Sequence, residues 1–320
     1  MYKEEPAKVN TPQEMSGEIL NVNELRTNDL LRKDEWTALD TAVIEVQRQR
    51  LNGIADLQNR GLTRDLGGLG VLIDQYEKMS DMGDADVDMS GEAEGDEDTV
   101  GFELASVPIP IVHKGYRINK RRLEASRKMG QALETTQAEV SSRKVRDMSE
   151  NILFNGSSSI VVNGNNLYGY TTQPNRITGS VTAAWTNESS RDILADVEGM
   201  LSDADAQFFF GPFILYVPTS YWSVLRSDYK SYSERTFLER LRQYSEIADV
   251  KPADVLPADN IVMVQMTRDV VDLAIGQSVT NVQWASGSKM TQFFKVMAAW
   301  APRIKSDYNG NCGVVHYTTE

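Results

Sequence analysis

The residue types that most often carry out chemistry are scarce in this chain of 320 residues. It contains two histidines, His113 and His316, and one cysteine, Cys312. Each histidine stands alone in a predicted strand, where a structural role is more common than that of a general base. A single cysteine cannot form an intramolecular disulfide, and this favours a reducing compartment.

Sequence motifs of catalysis are missing as well. The chain has no Gly-x-Ser-x-Gly nucleophile elbow, and the glycines at 67–70 are not followed by the lysine of a phosphate-binding loop. No cluster of cysteine and histidine is spaced to hold zinc. Carboxylate pairs are numerous, but none stands in an apolar setting that would tune its pKa. We therefore predict a protein that is not an enzyme, with no catalytic, cofactor-binding or metal-binding residues and no cofactor.

The acidic stretch 81–98 is the one candidate for a metal site. Asp84, Asp86 and Asp88 have the one-three-five spacing of an EF-hand calcium loop. However, Met89 stands at the sixth position, where the loop needs glycine, and Gly95 at the twelfth, where it needs a bidentate glutamate. The pattern favours a solvated acidic loop over a calcium site.

Composition excludes several broad classes of protein. The chain is 41% hydrophobic, which is typical of a globular protein. Its net charge of −13 argues against a dedicated nucleic-acid binder and against docking on an anionic membrane. The sequence lacks a run of about 18 apolar residues, which a membrane span would need. Its first residues also lack the apolar core of a signal peptide.

The first third of the chain predicts little regular structure. Residues 1–28 read as a loosely ordered arm, followed by a helix from about Asp29 or Asp34 to Asn52, where Asn52-Gly53 should end it. Residues 53–106 are rich in glycine and acidic residues and have few apolar ones. They predict either a disordered insert or an extended arm that is ordered by contacts outside its own domain.

The stretch from Ser106 to Gly156 is the best-defined part of the pattern. An apolar strand, Val107–Val112, precedes a short helix capped by Asn119 and a long polar helix from Gln131 to Phe154. Gly156 is placed for a left-handed C-cap. A narrow apolar stripe on the long helix indicates that it lies on a sheet or on a neighbour; the stripe consists of Leu133, Thr136, Val140, Met148 and Ile152.

The rest of the chain alternates helices with strands, which predicts a sheet with helices on its faces. Asn163-Gly164 predicts a hairpin after Ile160–Val162. The predicted helices are Asn187–Ala204, a helix from Pro218 or Thr219, and Thr236–Tyr244. The predicted strands are Phe208–Val217, Ile261–Met266, Val270–Ile275, Thr280–Trp284, Phe293–Trp300 and Gly313–Tyr317.

The order of these parts resembles the major capsid protein fold of tailed bacteriophages, the Hong-Kong-97 type, and within it the encapsulin (linocin) branch. The individual motifs are short, and their order carries the resemblance over roughly residues 30–320. The resembling segments are Leu31–Asp40, Ser106–Val112 with the helix through Leu123-Glu124, Glu150–Gly156 with Leu167-Tyr168-Gly169, and Tyr216–Trp222.

The resemblance implies an α+β fold of this type with five parts. Residues 1–52 would form an N-terminal arm and helix, and 53–106 an extended E-loop with an acidic insert. Residues 107–164 would be a peripheral domain with its spine helix, 165–285 an axial domain, and 286–320 the return strands of the peripheral domain.

The resemblance also implies a structural protein that self-assembles into the icosahedral capsid shell around the genome of a tailed double-stranded DNA phage. Its partners would be copies of itself in pentamers and hexamers, with portal, scaffold or decoration proteins and non-specifically contacted DNA, and no membrane. It would be located in the virion capsid, after assembly in the bacterial cytoplasm. The alternative is an encapsulin nanocompartment shell around a cargo enzyme, and an enzyme or calcium-binding adhesin ranks third.

Two departures from encapsulins favour the viral capsid: the enlarged acidic stretch 81–98 and the longer N-terminal arm. We also expect the acidic stretch of one subunit to face basic residues near the start of the long helix of a neighbour. Those residues are Lys120, Arg121, Arg122, Arg127 and Lys128.

Overall fold

The computed structural model describes residues 37–43, 52–80, 89, 99–128, 135–228, 235–285 and 291–319. The expectations for residues 1–36 and for most of the acidic stretch 81–98 therefore lie outside the described residues. Residues 37–43 are helical, as predicted. No helix in the described ranges is long and apolar enough to cross a membrane.

The described elements are mixed helix and strand. The helices are α1 Asn52–Asn59, α2 Lys120–Lys128, α3 Thr136–Asn155, α4 Ser190–Asp205, α5 Thr219–Leu225 and α6 Phe237–Leu241. The strands are β1 Thr63–Asp65, β2 Ile73–Met79, β3 Phe102–Pro108, β4 Ile111–Asn119, β5 Ser157–Val162, β6 Asn165–Leu167, β7 Ile177–Val181, β8 Phe213–Val217, β9 Ile247–Pro252, β10 Asn260–Gln265, β11 Val271–Ala285, β12 Thr291–Ile304 and β13 Val314–Thr319.

Two sheets and two apolar cores organise the described chain, and the first core includes residues of both sheets, such as Phe294 and Tyr216. A four-stranded sheet has the order β1-β11-β12-β4, and α3 lies against β4 and β12. A five-stranded sheet has the order β7-β13-β10-β8-β9, and α4 packs on it. The first core includes Leu153 and Phe294, and the second includes Val197 and Leu215. Two hairpins, β2-β3 and β5-β6, form separate two-stranded sheets and contact each other through β3.

The strand pairing departs from the predicted domain boundaries. Residues 165–285 were expected to form one domain, but β11 within them pairs with β1 and β12 in the four-stranded sheet. Residues 286–320 were expected to return to the sheet of the long helix, but β13 pairs with β10 and β7. The chain therefore enters the second sheet twice, and the boundaries cannot be drawn as single cuts.

The long β11-β12 hairpin replaces three shorter predicted strands. Val270–Ile275 and Thr280–Trp284 belong to one strand, β11, with register shifts between Ile275, Gln277 and Thr280. Such bulges interrupt the alternation of inward and outward side chains. The sequence pattern therefore predicted two strands where the structure has one. The edge strands β7 and β9 were not predicted because their sequences contain few apolar residues.

The predicted strand Phe208–Val217 is correct only in its second half. All five residues of β8 are buried, and the strand lies between β10 and β9 in the five-stranded sheet, as a continuous apolar run predicts for an interior strand. Phe208 and Phe210, in contrast, are 81% and 63% exposed. Gly211, with a φ of 88°, and the proline after it place the beginning of the strand at Phe213.

Asn52-Gly53 was predicted to end a helix, but both residues belong to the described helix α1, and residues 44–51 before it lie outside the described residues. The first residues of α1 lie so close to α3 that a Cβ on Gly53 would be 2.6 Å from the side chain of Leu153. Ile54 and Leu57 are buried in the first core, as is Leu62 just after the helix. Ile54, Leu57 and Leu62 therefore belong to the first core, in contrast to the prediction of an arm without a core from residue 53.

The long helix buries a different face from the predicted one. The predicted start, Gln131, falls within residues 129–134, which lie outside the described ranges. The described helix begins at Thr136. Its buried positions include Ala138, Ser142 and Val145, and the Ser142 hydroxyl donates to the carbonyl of Val43 at 3.1 Å. Small side chains allow the helix to approach its neighbours closely. Of the predicted stripe, Thr136, Val140 (48%) and Met148 (52%) are exposed and Ile152 is buried, while Leu133 lies outside the described residues.

The short helix and its cap are confirmed. Asn119 accepts a hydrogen bond from the backbone N–H of Arg121 at 2.9 Å, as an N-cap does. The hairpin at Asn163-Gly164 is also confirmed, with positive φ at both turn residues. The predicted strand Val107–Val112 is divided, because Ile109-Pro110 separates β3 from β4.

Two glycines allow the chain to turn sharply after α3. Gly156 has a φ of 66° and a ψ of −160°, so it caps the helix at the predicted position but in a different conformation. The N–H groups of Tyr170 and Thr171 donate to the carbonyls of Leu153 and Phe154 at 3.1 and 2.8 Å. A Cβ on Gly169 would be 2.3 Å from the backbone nitrogen of Gly156.

Replacing Gly169 with alanine should therefore destabilise the subunit. The added methyl group would overlap backbone atoms, which cannot move away as a flexible side chain can. We expect Gly169→Ala to lower the free energy of unfolding by about 2 kcal/mol. Gly115→Ala is the control, because its Cβ would meet its nearest neighbour at an ordinary 3.6 Å. Equal denaturant midpoints for the two variants would contradict the close approach of Gly169 to the backbone of Gly156.

Candidate assembly surfaces

The residues singled out for chemistry are structural or isolated. His316 is buried on β13, where its Nδ1 accepts from the Arg176 guanidinium at 3.1 Å and its Nε2 lies 2.7 Å from the side-chain oxygen of Asn260. Burial and the nearby Arg176 lower the pKa of His316 to about 4, so the ring is neutral near pH 7. His113 is exposed on β4. Burial raises the pKa of the Cys312 thiol to about 12, which makes it unreactive.

The described residues hold no group of three or more histidine, cysteine, aspartate or glutamate side chains that could bind a metal ion. Asp84, Asp86 and Asp88 lie outside those residues, so the EF-hand comparison rests on sequence alone. The features of interest are therefore surfaces and the contacts that position them.

The hairpin β2-β3 is an extended arm with little core of its own. Seven residue pairs join its strands, from Ile73 and Pro108 at the base to Met79 and Phe102 at the far end. From 75 to 78 and from 101 to 106, no residue of the described chain is buried. Phe102 and Leu104 are 63% and 57% exposed. The far half of this hairpin therefore exposes apolar side chains that nothing in the described subunit covers.

A buried charge cluster fixes the base of the arm. The Arg303 guanidinium, 3% exposed, donates to Asp272 at 2.5 Å and to Asp74 at 2.6 Å, and it lies over the ring of Tyr76. Lys78 donates to the hydroxyl of Ser306 at 2.7 Å. Three alternate residues of β2 therefore contact the end of β12 and the residues after it. A charged cluster fixes the orientation of the arm more strictly than an apolar contact would, because its hydrogen bonds are directional.

The electrostatics of this cluster favour the charged forms. Burial alone would raise the pKa of Asp272, but hydrogen bonds and charge from Arg303 and Lys305 outweigh it and lower that pKa. Burial alone would likewise lower the pKa of Arg303, but Asp272 and Asp74 raise it. Sequence reasoning missed this cluster. The available signal was an aspartate and an arginine beside short apolar runs, Val270-Val271 before Asp272 and Ala298–Pro302 before Arg303.

A second buried carboxylate joins α1 to α3. Glu150 accepts from the backbone N–H of Gly53 at 2.8 Å and from that of Ile54 at 3.4 Å, which satisfies free donors at the start of α1. Burial raises the pKa of Glu150 to about 7, although these two N–H groups lower it in part. Nearby, Asp56 pairs with Lys251 and accepts from the Tyr216 hydroxyl at 2.8 Å.

This carboxylate makes stability depend on pH. The ordinary pKa of the group is 4.5 and the folded value is about 7, so the folded chain holds a proton that the unfolded chain releases. The stabilisation is complete below about pH 4.5 and is lost as the pH rises through 7. We expect Glu150→Gln to reduce the fall in unfolding free energy between pH 5 and 8 by on the order of 2 kcal/mol.

Glu139→Gln is the matched control, because it removes one charge from the first turn of the same helix, where Glu139 is partly exposed. Thermal unfolding at pH 5, 6.5 and 8 measures the effect. Parallel pH profiles for wild type and Glu150→Gln would show that Glu150 does not titrate in this range.

Two concave surfaces flank α3. A groove of about 330 Å³ lies between α3 and β4, with Ile111, Met148 and Ile160 among its lining residues. A more polar hollow of about 510 Å³ lies at the end of α3, lined by Asn155, Ser157 and Tyr168 among others. Neither groups side chains in a way that would carry out catalysis.

Comparisons with known proteins agree with this architecture. The model of a family of unknown function, DUF6260, matches residues 23–317. The type 1 encapsulin shell protein EncA of Myxococcus xanthus (strain DK1622) is 25% identical over 280 residues, which cover 86% of this chain and 90% of that protein.

Solved structures of shells have a similar fold. The virus-like particle from Pyrococcus furiosus gives a TM-score of 0.65 at 16% identity, over 88% of this chain and 98% of that one. The capsid of Myoviridae phage XM1 gives 0.62 at 14% identity, over 84% and 92%. The predicted α+β fold of the Hong-Kong-97 capsid type, with its encapsulin-like character, is confirmed.

Proposed function

We propose that this chain, which belongs to the family of unknown function DUF6260, assembles with copies of itself into a closed icosahedral shell. The observation that carries the proposal is the arm β2-β3. Its base is fixed by the buried Arg303, while Phe102 and Leu104 near its far end are exposed. Exposed apolar surface on an extended hairpin indicates contact with another protein. The fold shared with capsids and a virus-like particle supports the same conclusion.

In the terms of this fold, β2-β3 with the acidic stretch 81–98 would be the E-loop. The four-stranded sheet with α3 would form the peripheral domain, and the five-stranded sheet with α4 the axial domain around the centres of pentamers and hexamers. Residues 1–52 would contribute an arm and a docking helix. This division follows the strand pairing and replaces the single cuts at 165 and 286.

We propose further that the shell is the capsid of a tailed double-stranded DNA phage and has no enzymatic activity. The acidic stretch and the longer N-terminal arm support this choice over an encapsulin. The net charge of −13 suits a wall that contacts packaged DNA only weakly. Portal, scaffold or decoration proteins would be its other partners, and assembly would take place in the cytoplasm of the bacterial host.

The second candidate is an encapsulin shell that encloses a protein cargo. The 25% identity to an encapsulin shell protein, along 86% of this chain, favours it. The two candidates differ in their contents: phage DNA in the first and protein in the second.

Particles isolated from cells that carry the gene in its natural context test both. We expect electron microscopy to show closed shells, and nuclease treatment to leave long double-stranded DNA protected inside them. Shells without DNA that contain a second, co-purifying protein would support the encapsulin instead. Soluble monomers without shells would contradict both.

A further inference from the structure

Two aromatic side chains stand on one face of the four-stranded sheet, where β11 ends and β12 begins. Trp284 and Phe293 pair directly across the two strands, and their rings stack with centroids 5.9 Å apart and 11° between the ring planes. Trp284 is 40% exposed and Phe293 is partly exposed. Farther along the same face Leu69 packs on Val282 and Met297, so the aromatic pair lies beyond this cover.

Basic side chains lie beside the two rings. The ammonium nitrogen of Lys295 is 5.4 Å from the centroid of the Trp284 ring. Arg117, exposed on β4, lies directly opposite Phe293. Lys295 and Arg117 are therefore diagonal neighbours on adjacent strands, about 7 Å apart at the backbone. Gly115, which lies opposite Lys295, has no side chain and leaves the sheet surface open beside the lysine.

This aromatic-basic surface, formed by Trp284, Phe293, Lys295 and Arg117, belongs to strands that are almost free of acidic residues. No aspartate or glutamate occurs in residues 105–123 or 273–306, although the whole chain contains 46. No ion pair of the described residues includes Arg117 or Lys295. A chain of net charge −13 therefore has a positive region here, with two cations that no carboxylate of the described chain neutralises.

The combination of rings and cations indicates the chemistry of a partner. Single-stranded nucleic acid carries unpaired bases, which stack on aromatic side chains, and phosphates, which bind lysine and arginine. A duplex keeps its bases stacked on one another, so it would contact the cations and leave the rings unused. An acidic protein segment would likewise use mainly the cations. The exposed Trp284 beside Phe293 therefore favours a single strand over both alternatives.

We propose that the aromatic-basic surface binds single-stranded nucleic acid, with bases stacked on Trp284 and Phe293 and phosphates held by Lys295 and Arg117. This goes beyond the proposed shell, because it assigns a ligand to one face of the subunit and does not require the shell to close. The contact is independent of base sequence, since every base has a face that can stack. The negative charge of the rest of the chain opposes the approach of a polyanion, so we expect weak binding that salt reduces strongly.

Fluorescence anisotropy of a labelled oligothymidylate of about 20 nucleotides, titrated with the purified protein, tests the stacking. We expect Trp284→Ala to weaken binding about tenfold, because a base stacked on an aromatic side chain contributes an effect of that size. Trp284→Phe should retain most of the affinity, since it keeps a ring. Tyr308→Ala is the control, because Tyr308 is an aromatic residue that is 51% exposed and stands outside this surface.

A second titration tests the phosphate contacts. Arg117→Gln combined with Lys295→Gln should flatten the dependence of log affinity on log salt concentration by about 1.4, since each lost contact to a single strand removes about 0.7. Lys114→Gln combined with Lys144→Gln is the charge-matched control. Both of these lysines line the groove between α3 and β4, and Lys114 is on the opposite face of β4 from Arg117. This control should leave the slope unchanged.

The outcomes distinguish a single strand from the other partners. Equal affinity of wild type and Trp284→Ala would overturn the stacking, and so would tighter binding of a duplex of the same length. Polyglutamate that displaces the oligonucleotide as well as an unlabelled oligonucleotide does would indicate an acidic protein partner instead. Circular dichroism of each variant confirms that a loss of binding does not come from unfolding.

Electron microscopy of the same samples separates this proposal from the proposed function. Closed shells whose subunits bind no oligonucleotide, before or after assembly, would overturn the nucleic-acid surface and leave the shell as the function. Subunits that bind the oligonucleotide through Trp284 but never form shells would support the surface and contradict the shell.

Discussion

A subunit with a shortened arm should fold normally but should form no closed shell. In this variant Asp74 is joined to Val107 through a two-residue Asn-Gly turn, which closes the hairpin at a position where these residues already pair. The change keeps Asp74 beside Arg303 and removes the exposed Phe102 and Leu104. The removed residues whose burial the structure describes are not buried, and the main losses are the contact of Tyr76 with Arg303 and the hydrogen bond from Lys78 to Ser306. We expect unfolding to cost only about 1 kcal/mol less than in the wild type.

Circular dichroism and denaturant unfolding measure the fold, and electron microscopy with size-exclusion chromatography measures assembly. Replacement of Gly61–Ala105, which the sequence alone would suggest, is a poorer experiment because it removes the buried Leu62 and strand β1. Closed shells from the shortened chain would refute the assignment of β2-β3 as the intersubunit arm. Global unfolding would show instead that the arm belongs to the core.

Replacing Arg303 with alanine should cause a large loss of stability. Asp74 and Asp272 are each 6% exposed, and without the guanidinium these buried carboxylates lose their main compensating charge. Removing one partner of a buried ion pair costs about 4 kcal/mol. Because the cluster joins β2 to β11 and β12, we also expect protease cleavage within the arm to become faster.

Arg64→Ala is the control for this variant. Arg64 lies 3.7 Å from Asp74, but its side chain is half exposed, so the pair should contribute less than about 1 kcal/mol. Chemical denaturation of both variants at neutral pH gives the comparison. A loss of similar size in Arg64→Ala and Arg303→Ala would contradict the role of the buried cluster.

The sequence predicted the order of elements well, because strong local signals mark them. Asn163-Gly164 identified a hairpin, and Asn119 identified the start of a helix. The continuous apolar run up to Val217 identified a central strand. The general fold followed from the order of such elements, and the comparisons confirm it.

Contacts between elements distant in sequence could not be predicted. The buried face of α3 contains serines and alanine, because a close approach to its neighbours requires small residues there, so periodicity pointed to the exposed ridge. Gly53 looked like a helix stop, but it allows α1 to contact Leu153. The return of β13 to the second sheet depends on a pairing with β10 across about 50 residues, which no local pattern records.

For the candidate surfaces as well, local features could be predicted and contacts between distant elements could not. The acidic stretch 81–98 was visible as composition, and its lack of a private core suggested an intersubunit role. The groove between α3 and β4 could not be predicted, because Ile111, Met148 and Ile160 come from three separate elements. The Arg303 cluster likewise joins residues more than 200 positions apart in the chain.

The mass of the purified protein in solution is the most direct test of whether the chain assembles into a closed shell. Sedimentation velocity of a chain of 35.8 kDa distinguishes single subunits from closed shells. We expect a particle of at least about 60 subunits, on the order of 2 MDa, as closed icosahedral symmetry requires. A protein that stays a monomer or a small oligomer at every salt concentration and pH at which it is folded would contradict it.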